Sequence, residues 1–272
     1  MTNDKLWWVL PVPFLIFGAG GWLIFETENE VVVQIARAQL QWREGNHHQA
    51  IKLYDAVHEN HSRSQFADDA LWEIANIYYV SLYDVDRALL YFRKLAKEYP
   101  ESSLVVDAYL KMAEIQEVEL RDLPQTIEYL AQALAHSTSF DSGRQILFKM
   151  GNAQLKLNRF VRSLQTFELV VQRAPNDHLS QQARNRIGTI YQITNRYEKS
   201  LAYFRATAEK TDCSECRVES YLGLIESYEF LEELKRAIET AESIPDQDFP
   251  AEEKQELLRR LRNKSRYYPP PR

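Results

Sequence analysis

The fold is decided by residues 70–100, which read ALWEIANIYYVSLYDVDRALLYFRKLAKEYP. Apolar residues in the first half recur at i, i+3, i+4 and i+7, the stripe of an amphipathic α-helix, and a second such stripe follows a short break. Pro100 cannot continue a helix, so it marks where the second one stops. The stretch therefore predicts two antiparallel helices joined by a short turn.

The same pattern recurs along the chain. A small residue is followed four positions later by a mostly large apolar one, six times, in steps of 38, 38, 37, 37 and 37 residues. The six pairs are Ala50/Tyr54, Ala88/Phe92, Thr126/Leu130, Ser163/Phe167, Ser200/Phe204 and Ala237/Ala241. Upstream of each, by 12 or 13 positions, lie Ala38, Ala75, Ala113, Gly151, Gly188 and Ile225. One helix pair cannot bury both its faces, so we expect neighbouring pairs to stack.

These units resemble the tetratricopeptide repeat family over about residues 31–246. The resemblance rests on a small–aromatic–apolar–Pro spacing, seen at Ala88, Phe92, Leu95 and Pro100, and again at Ser163, Phe167, Val170 and Pro175. The period exceeds the family's usual length of about 34 residues because the turns between pairs are longer. This variant is similar to bacterial envelope proteins of the BamD and YbgF/CpoB kind. The resemblance implies an all-α, right-handed solenoid of about six helix pairs.

The sequence suggests three regions: an N-terminal transmembrane anchor at 1–26, the solenoid at 27–246, and a capping helix with a Pro-rich tail at 247–272. Residues 250–264 carry acids early and bases late, which matches the dipole of one further helix that would cap the open end of the array. The final residues, YYPPPR, favour extended polyproline II structure.

Leu6–Phe25 is a run of 20 uncharged residues, LWWVLPVPFLIFGAGGWLIF. A helix of that length spans roughly 30 Å, the hydrocarbon thickness of a bilayer. Tryptophans favour the headgroup boundary, and Trp7, Trp8 and Trp22 lie near the two ends. The segment is interpreted as a retained membrane anchor that contacts the lipid bilayer through residues 6–25. A cleaved signal peptide with its apolar region at 9–17 is the main alternative.

The charges beside this segment give its orientation. Lys5 precedes it, whereas Glu26, Glu28 and Glu30 follow it, and basic residues mark the cytoplasmic side. We therefore expect a single-pass protein of the bacterial inner (cytoplasmic) membrane with its repeats in the periplasm. A cytosol-facing arrangement stays open.

Charge and motifs indicate which functions to expect. The net charge is −6 with both signs interspersed, so no basic stripe is available for nucleic acid. The sequence has no phosphate-binding glycine loop, no HExxH and no Ser-His-Asp arrangement. We therefore expect no enzyme activity, no catalytic residues and no cofactor.

Two cysteines, Cys213 and Cys216, form a CxxC motif. The motif is interpreted as a disulfide that clamps a turn in an oxidising compartment, or as two idle thiols. A zinc site would need two more ligands, and no second cysteine pair exists. Four histidines of the first repeat are interpreted as surface turn residues, so no metal is expected: His47, His48, His58 and His61.

In the tetratricopeptide repeat family the first helix of each pair lines an inner groove that binds other proteins. The resemblance places on that face Trp42, Trp72, Asn76, Tyr79, Phe148, Asn152, Asn185 and Gln192, together with Leu222 and Glu226. Aromatic anchors beside amides and acids suit an extended peptide or a partner helix. The same aromatics, Trp72 above all, could equally fill the core.

The leading functional hypothesis is a membrane-anchored scaffold or accessory subunit that mediates protein–protein interactions in a bacterial cell-envelope or membrane complex. A periplasmic assembly factor that binds client proteins transiently, as the BamD resemblance implies, is the first alternative. The second is an anchored receptor that faces the cytosol.

Overall fold

The computed structural model describes residues 19–267, with side chains from residue 29 onward. This part of the chain contains thirteen α-helices and no β-strand. The helices are α1 (Ala19–Arg43), α2 (His47–Asn60), α3 (Ala67–Asn76), α4 (Val85–Glu98), α5 (Val105–Val118), α6 (Leu123–His136), α7 (Phe140–Lys156), α8 (Phe160–Arg173), α9 (His178–Ile193), α10 (Tyr197–Lys210), α11 (Ser214–Phe230), α12 (Leu234–Ser243) and α13 (Ala251–Tyr267).

The predicted membrane segment falls mainly outside the described residues, and so do Trp7 and Trp8. Within residues 19–267 no helix is both long enough and apolar enough to cross a membrane. Within the described residues α1 extends from Ala19 to Arg43, so one helix runs through the expected boundary between the anchor and the first repeat.

The described part of the chain divides into two compact units: unit 1 ends at Met112 and unit 2 begins at Ala113. In unit 1, α1 packs on α2, α2 on α3, and α3 on α4. A short π-helical segment, Ile77–Ser81, continues α3 and contacts α4. In unit 2 each helix from α6 to α13 packs on the next one along the chain, and α9 also packs on α7 and α11. This connectivity confirms the five predicted helix pairs that lie within one unit, whereas the handedness of the full array stays a prediction.

The repeat pattern is confirmed residue by residue. The six small residues, Ala50, Ala88, Thr126, Ser163, Ser200 and Ala237, are all fully buried. The side chains four positions later and the six upstream residues are buried as well. The predicted stops are also confirmed, since α4 and α8 end just before Pro100 and Pro175.

Each turn within a pair contains one residue in the left-handed backbone region. These residues are Gly45, Tyr83, Arg121, Asn158, Asn195 and Glu232, whose φ angles lie between 53° and 82°. Their spacing along the chain is the same 38, 38, 37, 37 and 37 as that of the small residues. A single left-handed residue reverses the chain tightly, which explains why three residues suffice to join the helices of most pairs.

α13 is the additional helix predicted after the last repeat. It begins at Ala251 and extends to Tyr267, three residues beyond the predicted end, so Tyr267 is helical rather than part of an extended tail. Leu261 on this helix is fully buried against the last pair, with Leu257 and Leu258 packed beside it. Arg260 and Lys264 both bind Glu229 on α11, which fixes the capping helix to its neighbour.

The interpretation of His58 as a surface turn residue is wrong. His58 lies on α2 and is only 6% exposed. Its ring nitrogens lie 3.1 Å from the Tyr99 hydroxyl and 3.2 Å from the Glu98 carboxylate. Burial, with a contribution from nearby Lys94, lowers the pKa of His58. The side chain therefore joins α2 to the end of α4 within unit 1.

Candidate protein-binding cleft

Two tryptophans expected on the inner face take part in the packing of unit 1. The Trp42 indole donates a hydrogen bond of 3.0 Å to Ser81 in the π-helical segment. The Trp72 ring makes an edge contact with buried Phe92, with 5.2 Å between centroids. Asn76, at the end of α3, and Tyr79, in the π-helical segment, are half-buried nearby. Both tryptophans are half-buried and take part in the packing of unit 1 through these contacts.

Phe148 in unit 2 repeats the arrangement of Trp72. Its ring makes an edge contact with Phe167, with 5.5 Å between centroids, and it is half-buried. Asn152, one turn further along α7, is half-buried as well. Aromatic residues at this position thus cover the large buried side chain of the second helix in their own pair.

The two amides expected on α9 lie in the interior, where they bind α11. Asn185 is fully buried; it donates to the Cys216 carbonyl at 2.9 Å and accepts from the Ser220 hydroxyl at 2.7 Å. Gln192 donates to the Gly223 carbonyl at 2.8 Å and to the Ser227 hydroxyl at 2.9 Å. The amide NH2 groups of both residues thus join successive pairs, in keeping with the rule that buried polar groups are hydrogen-bonded.

Between these helices lies an open cleft of about 500 Å³, named here the α9–α11 cleft. It is lined by Thr189, Gln192, Phe204, Ser214, Glu215, Val218, Glu219, Leu222, Gly223, Glu226 and Asp248. The α11 residues at 215, 218, 219, 222 and 226 recur at helical spacing, so they form one stripe along the helix. Leu222 and Glu226 were predicted on this face. Leu222 is 39% exposed and forms an apolar surface in the middle of the stripe.

Four carboxylates surround this apolar surface, and two of them are paired. Glu219 accepts hydrogen bonds from Arg186 at 2.6 Å and from Asn185 at 3.0 Å. Asp248 accepts from the Ser214 hydroxyl at 2.7 Å and from Arg217 at 2.5 Å. These two hydrogen bonds, with Ser214 the larger cause, lower the pKa of Asp248.

The other two carboxylates, Glu215 and Glu226, are exposed and have no hydrogen-bond or ion-pair partner among the described residues. They lie at either end of the stripe, with Val218 and Leu222 between them. The cleft therefore offers two unpaired negative charges that flank an apolar surface. A basic side chain next to an apolar one is complementary to that arrangement.

Sequence reasoning missed part of the cleft. Glu215, Val218 and Glu219 share a helical face with the predicted Leu222 and Glu226, so extending that stripe backward would have found them. Asp248 lies in the connection between α12 and α13, and the sequence carries no signal that would place it beside α11.

The structure joins Cys213 to Cys216 in a disulfide, with 5.2 Å between their Cα atoms. Cys213 caps the N-terminus of α11, where its sulfur accepts from the Cys216 amide at 3.0 Å. His178, which no motif had singled out, lies beside this pair at the start of α9.

Models of the tetratricopeptide repeat match residues 35–103, 145–177 and 181–206. No curated protein matches the sequence. Among solved structures, similar ones include YrrB, described as a tetratricopeptide repeat protein with an unusual peptide-binding site. It has 16% identity and a TM-score of 0.54, with 77% of this chain and 97% of that chain covered.

Two further structures share the fold. A tetratricopeptide repeat protein from Parabacteroides merdae has 12% identity and a TM-score of 0.52, covering 86% of this chain and 100% of its own. PilW, described as a type IV pilus biogenesis factor, has 15% identity and a TM-score of 0.51, covering 85% and 97%. Identities this low show the fold alone. The three matches identify tetratricopeptide repeats within those residues, and the structural neighbours show that the chain shares the fold.

Proposed function

We propose that the chain is a membrane-anchored scaffold or accessory subunit of a bacterial envelope complex, and that the α9–α11 cleft holds a segment of its partner protein. The segment carries Lys or Arg next to an apolar side chain. The observation that carries the proposal is the pair of unpaired carboxylates, Glu215 and Glu226, on either side of exposed Leu222.

The chemistry of the cleft favours a peptide over a small molecule. The cleft is open and runs along α11, and three of its four carboxylates are spread over three helical turns from 215 to 226. Apolar contact with Val218 and Leu222 would supply affinity, and the charges would set the register of the bound segment. Asn185 and Gln192 hold the walls of the cleft in place from behind.

The first prediction concerns peptide selection by the purified protein. A random peptide library displayed on phage should be enriched for sequences with Lys or Arg beside Leu, Ile, Val or Phe. Reversal of both unpaired charges, Glu215→Lys with Glu226→Lys, should weaken binding of the selected peptides about tenfold, since each surface pair contributes up to about 1 kcal/mol. Fluorescence anisotropy with a labelled peptide measures the change.

A matched control has the same change in net charge away from the cleft. Glu198 and Glu209 are exposed on α10 of the same unit, so Glu198→Lys with Glu209→Lys should leave peptide binding unchanged. Equal loss in both double variants would mean that only overall charge attracts the peptides. Selected peptides without basic residues would refute the proposed partner chemistry.

The partner in the cell can be captured with a photo-crosslinking amino acid at position 222 of the full chain, with position 169 on α8 as the matched exposed leucine site. Crosslinks specific to 222, in fixed stoichiometry, would support a structural subunit. Many substoichiometric clients would instead favour the transient assembly factor. Crosslinks at both sites alike would argue against a role for the cleft.

Membrane anchoring is the second part of the proposal, and it rests on the uncharged run at 6–25. We expect the full chain to stay in the membrane pellet after alkaline carbonate extraction. Leu15→Lys with Phe17→Lys should release it, since each charge near the bilayer centre costs about 2.5–3.5 kcal/mol.

Mass spectrometry of the extracted chain shows whether residues 1–25 are retained, and their absence would favour the cleaved signal peptide. In spheroplasts, external protease should degrade the repeats if they face the periplasm. Protection of residues 27–272 would favour the cytosol-facing alternative.

A further inference from the structure

Three side chains with metal-binding chemistry meet at one point in unit 2. The ligand atoms of His178, Cys213 and Cys216 all lie within 4.8 Å of one another. His178 opens α9, whereas Cys213 and Cys216 lie at the start of α11, one repeat further along the chain. The stacking of α9 against α11 brings these two helix starts together.

We propose that reduction of the Cys213–Cys216 disulfide converts this cluster into a binding site for one Zn²⁺ ion, with His178, Cys213 and Cys216 as its ligands. Thiolate and imidazole are the donors that Zn²⁺ prefers. From the usual bond lengths, a tetrahedral ion needs ligand atoms roughly 3.4–3.8 Å apart. The His178 nitrogen lies within 4.8 Å of both sulfurs, so it needs to approach them by at most about 1.4 Å. The two sulfurs, bonded to each other in the oxidised state, must separate from about 2 Å to about 3.8 Å once the disulfide is reduced, and a water molecule can take the fourth position.

The backbone around the cluster is held in place by neighbouring side chains. The Cys213 amide donates to the Thr211 hydroxyl at 3.0 Å, and that hydroxyl donates a short hydrogen bond to Gln181 on α9. The Cys216 carbonyl accepts from Asn185 of α9 at 2.9 Å. A site fixed in this way loses little conformational entropy on binding an ion.

The electrostatic surroundings favour thiolates. Both sulfurs lie at the N-terminus of α11, where the helix dipole stabilises negative charge, and the Cys216 amide points at the Cys213 sulfur. Cys216 is 2% exposed and Cys213 is half-buried, whereas His178 is exposed. An ion can therefore enter on the histidine side and be enclosed by the sulfurs.

The two states exclude each other, because sulfurs joined to one another cannot both act as thiolate ligands. An external dithiol supplies two electrons, becomes a disulfide itself, and leaves two thiols on the protein. Binding of Zn²⁺ then releases the two thiol protons while His178 contributes a nitrogen lone pair. The repeat array would thus carry a metal only when its disulfide is reduced.

The test uses the full chain and Co²⁺, a spectroscopic substitute for Zn²⁺. After reduction by a phosphine and its anaerobic removal, one Co²⁺ per chain should bind with a thiolate-to-cobalt absorption band, and Zn²⁺ should displace it. The oxidised protein and Cys213→Ser should show no band. His178→Ala should weaken Co²⁺ binding by at least about tenfold. Loss of a residue that only hydrogen-bonds to a metal ligand already lowers metal affinity by about that factor.

His48→Ala provides the matched control, because His48 is an exposed histidine in unit 1 and should not matter. Far-UV circular dichroism checks that each variant and the reduced protein keep their helices. The proposal is overturned if the reduced wild type binds no Co²⁺, if reduction unfolds the helices, or if His178→Ala binds as tightly as wild type.

Discussion

Replacement of Phe204 by alanine is expected to lower the free energy of unfolding by about 3–5 kcal/mol. Phe204 is 1% exposed and lies on α10, between α9 and α11. Its ring fills the space beside two glycines: a Cβ on Gly188 would approach ring atoms to 2.8 Å, and one on Gly223 to 2.5 Å. Removal of the ring therefore leaves a cavity beside the two glycines. Urea denaturation followed by circular dichroism measures the loss.

Tyr267→Ala is the control for this prediction, since Tyr267 is 82% exposed and its loss should change stability by less than about 0.5 kcal/mol. The contact with Gly223 adds an independent check. Gly223→Ala should be destabilising in the wild type, where the new methyl meets the ring, and much less so in Phe204→Ala. Equal effects of Gly223→Ala in both backgrounds would mean that the ring and the glycine do not determine the spacing of α10 and α11.

The helix pairs could be predicted from the sequence because their geometry is repeated six times. A small residue and a large one at fixed spacing, such as Gly188 and Phe204, indicate that two helices approach each other closely. The residue types therefore carry the information in the sequence. Each copy is a weak signal, but copies in phase reinforce one another. The turn residues carry less information: Glu232 adopts the same left-handed conformation as Gly45, although its residue type gives no indication of it.

The side chains that bind between repeats could not be assigned in the same way. Asn185 was expected in a groove, yet its side chain lies buried in the interface with α11, where it donates to the Cys216 carbonyl. His58 is likewise buried, and its ring contacts Glu98 and Tyr99 at the end of α4. Such side-chain contacts depend on the relative position of two helices about one repeat apart. No local sequence pattern determines that position.

The same limit applies to the cysteine pair. The CxxC spacing is visible in the sequence, and the zinc interpretation was set aside for want of further ligands. His178 lies 35 positions before Cys213, and only the stacking of two helix starts reveals it as a neighbour. A sequence motif shows only residues that are close along one helix. The ligands of this cluster come from two helices, α9 and α11, so the motif alone does not reveal the full set.

Replacement of Arg144 by methionine is expected to lower the free energy of unfolding by about 2–4 kcal/mol at neutral pH. Arg144 is 2% exposed on α7. It donates two hydrogen bonds to Asp177, one of them at 2.8 Å, and others to the Val170 carbonyl and to Ser180. Methionine preserves much of the apolar stem but cannot donate these hydrogen bonds, so α7 loses its polar link to the loop before α9.

The pH dependence of stability gives a second measurement. The hydrogen bond from Arg144 is the largest cause that lowers the pKa of Asp177 to about 2. The folded pKa lies below the unfolded value of about 3.9, so this stabilisation is complete above that pH and is lost as the pH falls toward 2. Because Asp177 is 41% exposed, solvent screens the interaction. We therefore expect the lowered pKa to stabilise the folded state by about 1 kcal/mol, less than the full pKa shift implies.

Wild type should therefore lose this increment between about pH 4 and pH 2, whereas Arg144→Met should show a flatter profile over that range. Arg186→Met is the matched control, since the Arg186–Glu219 pair is 37% and 40% exposed and its loss should cost about 1 kcal/mol or less. Equal losses from the two substitutions, or parallel acid profiles for wild type and Arg144→Met, would show that burial of Arg144 adds nothing to an ordinary surface pair.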